Sequence, residues 1–126
     1  MSSPSWQVFV PCRLWTLNEE IRQHWSWRQR VRREVRATAT VHARLVTSPP
    51  PSCPVVVVFT PQALKLNQDA GGCVTVAKPA LDGLVDAGVL PDDGPTVVVA
   101  VTFLVAQRAL SPRDEGLVIT LLPAAT

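Results

Sequence analysis

The sequence lacks the features of membrane, secreted and zinc-binding proteins. Apolar runs such as residues 55–59 are far too short to cross a bilayer, and no basic segment followed by an apolar one opens the chain, so we expect neither a membrane span nor a secretory signal. The three cysteines are odd in number and widely spaced, without a Cys-x-x-Cys or paired histidines. This pattern argues against disulfides or structural zinc and favours reduced thiols in a cytoplasmic protein.

Length and composition predict one folded domain that covers residues 1–126. A chain of 126 residues suffices for one hydrophobic core and not for two. Hydrophobic residues make up 47% of the chain and charged residues 17%, which favours a folded protein over a disordered one.

The net charge of +2 conceals two segments of opposite sign. Residues 13–44 carry eight arginines against three glutamates, and residues 65–93 carry five aspartates against two lysines. A basic element beside an acidic one suits a protein that holds a polyanion while a bound metal ion acts on it. Arginine presents a planar fork of N–H groups, which favours phosphate as the bound group.

Hydrophobic periodicity and the positions of proline and glycine predict four strands and two helices. The strands are expected at residues 6–12, 55–60, 96–105 and 117–122, with a polar hairpin loop at residues 107–116. One helix is expected at residues 19–46, where proline and glycine are absent, and another at residues 79–87, followed by Gly88 as its cap. The order β-α-β-α-β-β predicts an α+β fold, in which a small mixed sheet carries both helices.

The long helix is expected to have an apolar face and an arginine face. At about 100° per residue, the apolar face gathers Val31, Val35, Thr38, Ala39, His42 and Leu45. The opposite face gathers Arg22, Arg30, Arg33, Arg36 and Arg44. Such a stripe can be only a solvated surface, but seven arginines against one glutamate between positions 22 and 44 exceed what solubility needs and favour phosphate binding. Trp25 and Trp27 cannot share a face, so we expect one to pack and the other to cap or touch a partner.

The candidate site lies in residues 69–93, DAGGCVTVAKPALDGLVDAGVLPDD. This stretch holds five of the ten acidic residues of the chain. Asp69 precedes a glycine pair, Lys78 and Asp82 lie four positions apart, and Asp92 and Asp93 end the stretch. Carboxylates that one helix brings together from two loops suit a hard divalent cation, which can activate water for phosphoryl transfer. The alternative on spacing alone is a solvated helix with acidic ends.

Two separated segments resemble the RusA family of Holliday junction resolvases, especially its phage and prophage members. The more specific segment is KPALDGLVDAGVLPDD, residues 78–93, which is similar to the helix and acidic turn of that family. The other is LNEEIRQHWSWRQRVRREVR, residues 17–36, with its asparagine, His-Trp pair and arginines. The two segments agree in order and spacing, and the resemblance extends over about residues 14–122.

The resemblance implies a magnesium-dependent homodimer that cuts branched DNA at symmetrically related phosphodiesters, in recombination, repair or phage DNA processing. It implies catalytic roles for Asp69, Lys78, Asp82 and Asp93, and magnesium binding by Asp69, Asp92 and Asp93. Lys78 would contact the phosphate, and Asp82 would orient Lys78 or bind the ion through water. The arms of the junction would be bound by Arg22, Arg28, Arg30, Arg33, Arg36, Arg44 and Lys65.

The chain departs from the family motif in the acidic loop. Gly71 and Gly72 stand where the motif has its second aspartate and its asparagine. Metal sites depend on the number of charged ligands, so this loss predicts weaker ion binding. A second hypothesis is therefore a dimer that binds branched DNA without cutting it. A third is a structural protein whose charges only solvate it.

Overall fold

The computed structural model describes residues 5–64 and 74–124. Its elements follow in the order β1 (Trp6–Pro11), α1 (Leu17–Arg22), α2 (Trp25–Leu45), β2 (Val55–Ala63), α3 (Val74–Asp86), β3 (Val98–Phe103), β4 (Gln107–Arg108) and β5 (Gly116–Pro123), with a 3-10 turn at Pro112–Asp114. The fold is α+β, as the sequence predicts, with a mixed sheet of five strands packed against helices.

The middle of the sheet is formed by β5 and β2. β5 runs antiparallel to both β1 and β2, whereas β3 and β4 pair with β2 in parallel. Alternate residues of β2 are buried, and the residues between them are half-buried. One face of the sheet therefore forms the core, where it joins the apolar residues of α2 and α3 in one cluster.

α2 and α3 lie in close contact at Gly83. A Cβ built on Gly83 would lie 2.6 Å from the Cβ of Ala39 and 2.6 Å from the carbonyl oxygen of Arg36. The Thr40 hydroxyl donates to the Gly83 carbonyl at 3.2 Å, which ties the two helices together. Glycine at this position lets the helices approach, and their approach sets the spacing of the charged side chains along their edges.

The predicted apolar face of α2 is buried only in part. Val35 and Ala39 are buried as predicted, whereas Leu45, at the end of the helix, is exposed. Trp27 packs edge-on against Trp15, with ring centroids 5.9 Å apart, while Trp25 is exposed. One tryptophan packs and the other does not, as their spacing predicts.

The single helix predicted for residues 19–46 is two helices. Gln23 and His24 separate α1 from α2 and have extended backbones. The prediction is wrong because it relied on the absence of proline and glycine, whereas capping stabilises the break. The Ser26 N–H donates to Nδ1 of His24 at 3.1 Å, and the Gln23 N–H donates to the carbonyl of Glu20 at 3.1 Å.

Two boundaries predicted at prolines are also wrong. α3 begins at Val74 and carries Pro79 inside it instead of at its first turn. The missing N–H removes one helical hydrogen bond, and the burial of the surrounding residues in the core outweighs this loss. β2 continues past Pro61 to Ala63. Neither β3 nor β4 pairs with Pro61, so the missing N–H interrupts no ladder on that side.

Residues 107–116 do not form the predicted hairpin loop. A hairpin would make β3 and β5 neighbours, but β2 lies between them in the sheet. β3 is instead an edge strand, shorter than predicted, and the chain passes from it through β4 and the 3-10 turn into β5. Val99 and Val101 of this strand are exposed, so the helices do not cover the edge of the sheet.

Candidate functional site

A lysine between two aspartates forms the centre of the candidate site. Lys78 and Asp82 lie one turn apart on α3, and the Lys78 Nζ donates to Asp82 Oδ1 at 2.9 Å and to Asp93 Oδ2. Because both carboxylates accept from one nitrogen, their nearest oxygens lie within roughly 6 Å of each other. Lys78 and Asp82 of α3 thus form one charged cluster at the surface with Asp93, which lies in the turn after the helix.

Hydrogen bonding shifts the pKa values within this cluster. The bond to Asp93, followed by the bond to Asp82, raises the pKa of Lys78. The same bond from Lys78 lowers the pKa of Asp93. Lys78 and Asp93 are therefore charged at neutral pH, and the formal charges of the three side chains in the cluster are one positive and two negative.

The turn that follows α3 brings Asp93 next to Lys78. Gly88 adopts φ +81°, and the N–H groups of Gly88 and Val89 donate to the carbonyls of Val85 and Leu84 at 3.0 Å, which is the glycine cap that the sequence predicts. Leu90 is buried and anchors the turn that follows. This reversal directs the chain back along α3 to Lys78.

The adjacent aspartates of the turn have different roles. Asp93 binds Lys78, whereas Asp92 Oδ1 accepts from the Gly94 N–H at 2.7 Å. Asp92 thereby stabilises its own turn, as aspartate commonly does in this position. Of the pair predicted to bind a metal ion, only Asp93 contacts the cluster.

An ion pair between α2 and α3 lies beside the cluster. Arg36 holds Asp86 through two hydrogen bonds, Nε to Oδ2 at 2.6 Å and Nη2 to Oδ1 at 2.9 Å, and its Nη1 lies 4.0 Å from Asp82. The hydrogen bond between Arg36 and Asp86 raises the pKa of Arg36 and lowers that of Asp86. Arg44 also donates to the Asp86 carbonyl at 3.5 Å. Both arginines, predicted to face DNA, join the two helices.

A groove of about 450 Å³ runs between α2 and α3 and reaches the lysine cluster. α2 contributes Gln29, Arg32, Arg33 and Arg36, and α3 contributes Lys78 and Asp82. Arg32 is paired with Glu20, a buried carboxylate on α1. Arginines therefore line one wall of the groove, and Lys78 with Asp82 lies on the other.

The arginines of α1 and α2 fall into two groups. Within residues 5–64 and 74–124, no ion pair involves Arg22, Arg28, Arg30 or Arg33. Arg36 and Arg44 are held by Asp86, and Arg32 by Glu20, as described above. The first group keeps its charge available to an external anion, and Arg33 is the member that lines the groove.

Part of the predicted site lies outside the described residues. Asp69, Lys65, Gly71 and Gly72 fall in the undescribed segment, so the predicted convergence of three acids is seen only for Asp82 and Asp93. Within the described ranges, no three histidine, cysteine or acidic side chains gather in a group able to hold a metal ion.

Sequence reasoning missed the pairing of Arg36 with Asp86. Asp86 lies four positions after Asp82, so the i, i+4 spacing places both acids on one side of α3. From that spacing, the sequence could have predicted that Asp86, like Asp82, contacts an arginine of the basic helix. Nothing in the sequence, however, indicates which arginine would meet it.

No protein-family model and no curated protein matches this chain. The resemblance to RusA proteins therefore stays a prediction, and the geometry of the site has to support it. In the part of the chain that the structure describes, no helix has the length and apolar character that a membrane crossing requires.

Proposed function

We propose that the chain is a magnesium-dependent endonuclease of the RusA type, which cuts Holliday junctions and other branched DNA in recombination, repair or phage DNA processing. The observation that carries the proposal is Lys78, held between Asp82 and Asp93 beside a groove lined by arginines. A cation suited to a scissile phosphate and carboxylates suited to a metal ion thus lie together at a surface that attracts a polyanion.

The oxygen atoms around Lys78 are of the type that binds magnesium. Asp82 and Asp93 present carboxylate oxygens, which Mg²⁺ prefers as ligands, and both already contact one cation. Asp93 would hold the ion together with Asp69, and Asp82 would reach it through water. The bound ion would lower the pKa of a water ligand and offset charge on the phosphate. Lys78 would bind a phosphate oxygen while Asp82 keeps the lysine in position.

The two groups of arginines make different contributions in this proposal. Arg33 lines the groove without an ion pair among the described residues, so Arg33→Gln should weaken binding to all DNA and reduce the salt dependence by about one phosphate contact. Arg36→Gln removes the partner of Asp86 and should chiefly lower stability. Titration of labelled DNA at several salt concentrations, with thermal melting of both variants, separates the two effects.

A second copy of the chain is the other partner in the proposal. β3 is uncharged, lies at an edge of the sheet and exposes Val99 and Val101. The segment that follows exposes Leu104, Val105 and Leu110 as well. In monomeric proteins, charged side chains or a covering helix or loop usually prevent an edge strand from pairing with another molecule. An apolar edge therefore supports a homodimer that joins through β3, which would supply two cutting sites for two strands.

A dimer that binds branched DNA without cutting is the second candidate. Two observations favour it: Gly71 replaces an acidic residue of the family motif, and Lys78 already binds both described carboxylates and offsets one of their two charges. Both observations lower the affinity expected for a divalent cation.

A junction assay tests the proposal and separates it from the second candidate. The protein is incubated with a synthetic four-way junction in magnesium, and binding is measured in calcium. Nicks that Asp93→Asn abolishes support the nuclease, and gel shifts without nicks support the non-cutting dimer. The absence of both leaves a structural protein. A large gain of cutting in Gly71→Asp would show that the natural site is impaired, whereas equal cutting would show that the missing carboxylate is not needed.

A further inference from the structure

Trp25 is an exposed aromatic side chain in a chain that buries its other tryptophans. Its exposed fraction is 60%, whereas Trp6 and Trp15 are buried and Trp27 is half-buried against the core. Tryptophan is highly buried on average in folded proteins, and a partner commonly covers one that is not. The position of Trp25 therefore calls for a functional explanation.

The periodicity of α2 places Trp25 in line with the groove. Positions 25, 29, 32 and 36 follow the i, i+4, i+7, i+11 spacing of one helix face. Gln29, Arg32 and Arg36 on that face line the groove beside Lys78. Trp25 lies seven residues before Arg32, about 10 Å along the helix axis. An extended ligand held in the groove would reach the indole at its outer end.

His24 enlarges this aromatic surface and is held in position. Its ring lies 5.8 Å from that of Trp25 at an interplanar angle of 33°. Nδ1 of His24 accepts the Ser26 N–H at 3.1 Å, so the ring cannot turn without loss of the helix cap. Arg22 and Arg28, neither of them ion-paired among the described residues, flank the two rings in the sequence. The aromatic pair therefore lies in a basic stretch of the sequence.

We infer that Trp25, supported by His24, stacks on an unpaired nucleobase of the DNA that the groove holds. The inference rests on the proposed function. The surrounding arginines favour a polyanion over an apolar protein partner, and bases stack on aromatic rings in a way that tolerates any sequence. A base inside a duplex is already stacked on both sides, so only a base that has left its stack can cover the indole. The distance of about 10 Å along α2 between Trp25 and Arg32 equals about three nucleotide steps of 3.4 Å. A strand in the groove would therefore place a base at Trp25 about three nucleotides from Arg32. Trp25 would therefore select DNA with unpaired bases near the groove.

Two single strands of equal length and charge test the inference. One is a fluorescently labelled oligothymidylate, and the other has the same backbone with abasic sites in place of every base. Binding of the full-length protein is measured by anisotropy with EDTA present, so that no cutting occurs. We expect the protein to bind the thymidylate strand roughly tenfold or more tightly than the abasic strand, within the range measured for one stacked base. Trp25→Ala should lose this preference and leave affinity for the abasic strand unchanged.

Trp25→Phe is the matched control, because it keeps an aromatic ring and should keep most of the preference. A thermal melt of each variant shows that it is folded, as expected for an exposed position. Equal binding of both strands by the natural protein, or an unchanged preference in Trp25→Ala, overturns the stacking inference and leaves nucleic-acid binding intact. Failure to bind either strand or a four-way junction overturns the proposed function as well.

Discussion

Substitution of Gly83 by alanine tests how closely the groove depends on contact between α2 and α3. The added Cβ would lie 2.6 Å from the Ala39 Cβ and from the Arg36 carbonyl oxygen, and 3.1 Å from the Thr40 nitrogen. Nonbonded carbon atoms prefer about 3.5–4.0 Å, so the helices would have to separate by roughly 1 Å. Two of the three contacts are to backbone atoms, which cannot rotate away.

Two opposing effects set the expected magnitude. Replacement of glycine by alanine inside a helix stabilises it by about 1 kcal/mol. Overpacking at a tight contact costs about 1–3 kcal/mol, and contact with a rigid backbone places Gly83→Ala toward the upper end of that range. We therefore expect a net loss of about 1–2 kcal/mol, which lowers Tm by about 4–8 °C in a chain of this length.

Thermal melting followed by circular dichroism measures this loss, with Gly94→Ala as the control. Among the residues that the structure describes, a Cβ on Gly94 would meet only the Asp92 side chain, at 3.0 Å from Oδ1, and that side chain can move. The control should therefore melt within a few degrees of the natural protein. If Gly83→Ala melts at or above the natural Tm, α2 and α3 are not in tight contact and the groove is not held by this packing.

Two further predictions concern the lysine cluster and the edge of the sheet. Lys78 lowers the pKa of Asp93, so their bond adds stability above the unfolded pKa of about 3.9 and loses it as pH falls through the lower folded value. Asp93→Asn should thus melt below the natural protein at pH 7, with a difference that closes toward pH 3, and a constant difference would contradict this. Val101→Asp, at a β3 position 43% exposed, should convert a dimer to a monomer in sedimentation analysis. Val41→Asp, at an α2 position 56% exposed, should remain dimeric, and a monomeric natural protein would refute the β3 interface.

Local patterns predict the parts of this fold that depend on neighbours in the sequence. The apolar run in β2 and the i, i+4 spacing of Lys78 and Asp82 are of this kind, and the structure contains both. The break before α2 was missed because His24 caps the helix through a ring nitrogen, whereas the usual capping side chains carry an oxygen. The sequence therefore did not reveal the start of α2, because histidine is an uncommon N-cap residue.

Other features depend on packing between distant segments, and no local pattern contains them. Gly83 can be seen as a contact point only once Ala39 is known to lie opposite it. Arg36 and Asp86 are fifty positions apart, and their pairing follows from the packing of α3 against α2. Sequence reasoning therefore placed Arg36 on a DNA-facing surface, whereas its guanidinium binds the neighbouring helix.

The pairing of Arg36 with Asp86 determines the charge that remains at the proposed catalytic site. α3 carries two acids one turn apart, and Arg36 makes two hydrogen bonds to Asp86 while its nearest atom to Asp82 lies 4.0 Å away. Asp82 is thereby left to Lys78, and the cluster of Lys78, Asp82 and Asp93 keeps one net negative charge. That charge attracts a divalent cation, and once the ion is bound by Asp93 and Asp69 the site would carry no net charge and would no longer repel a phosphate. Without the pairing, Arg36 would neutralise the cluster and weaken the first of these steps.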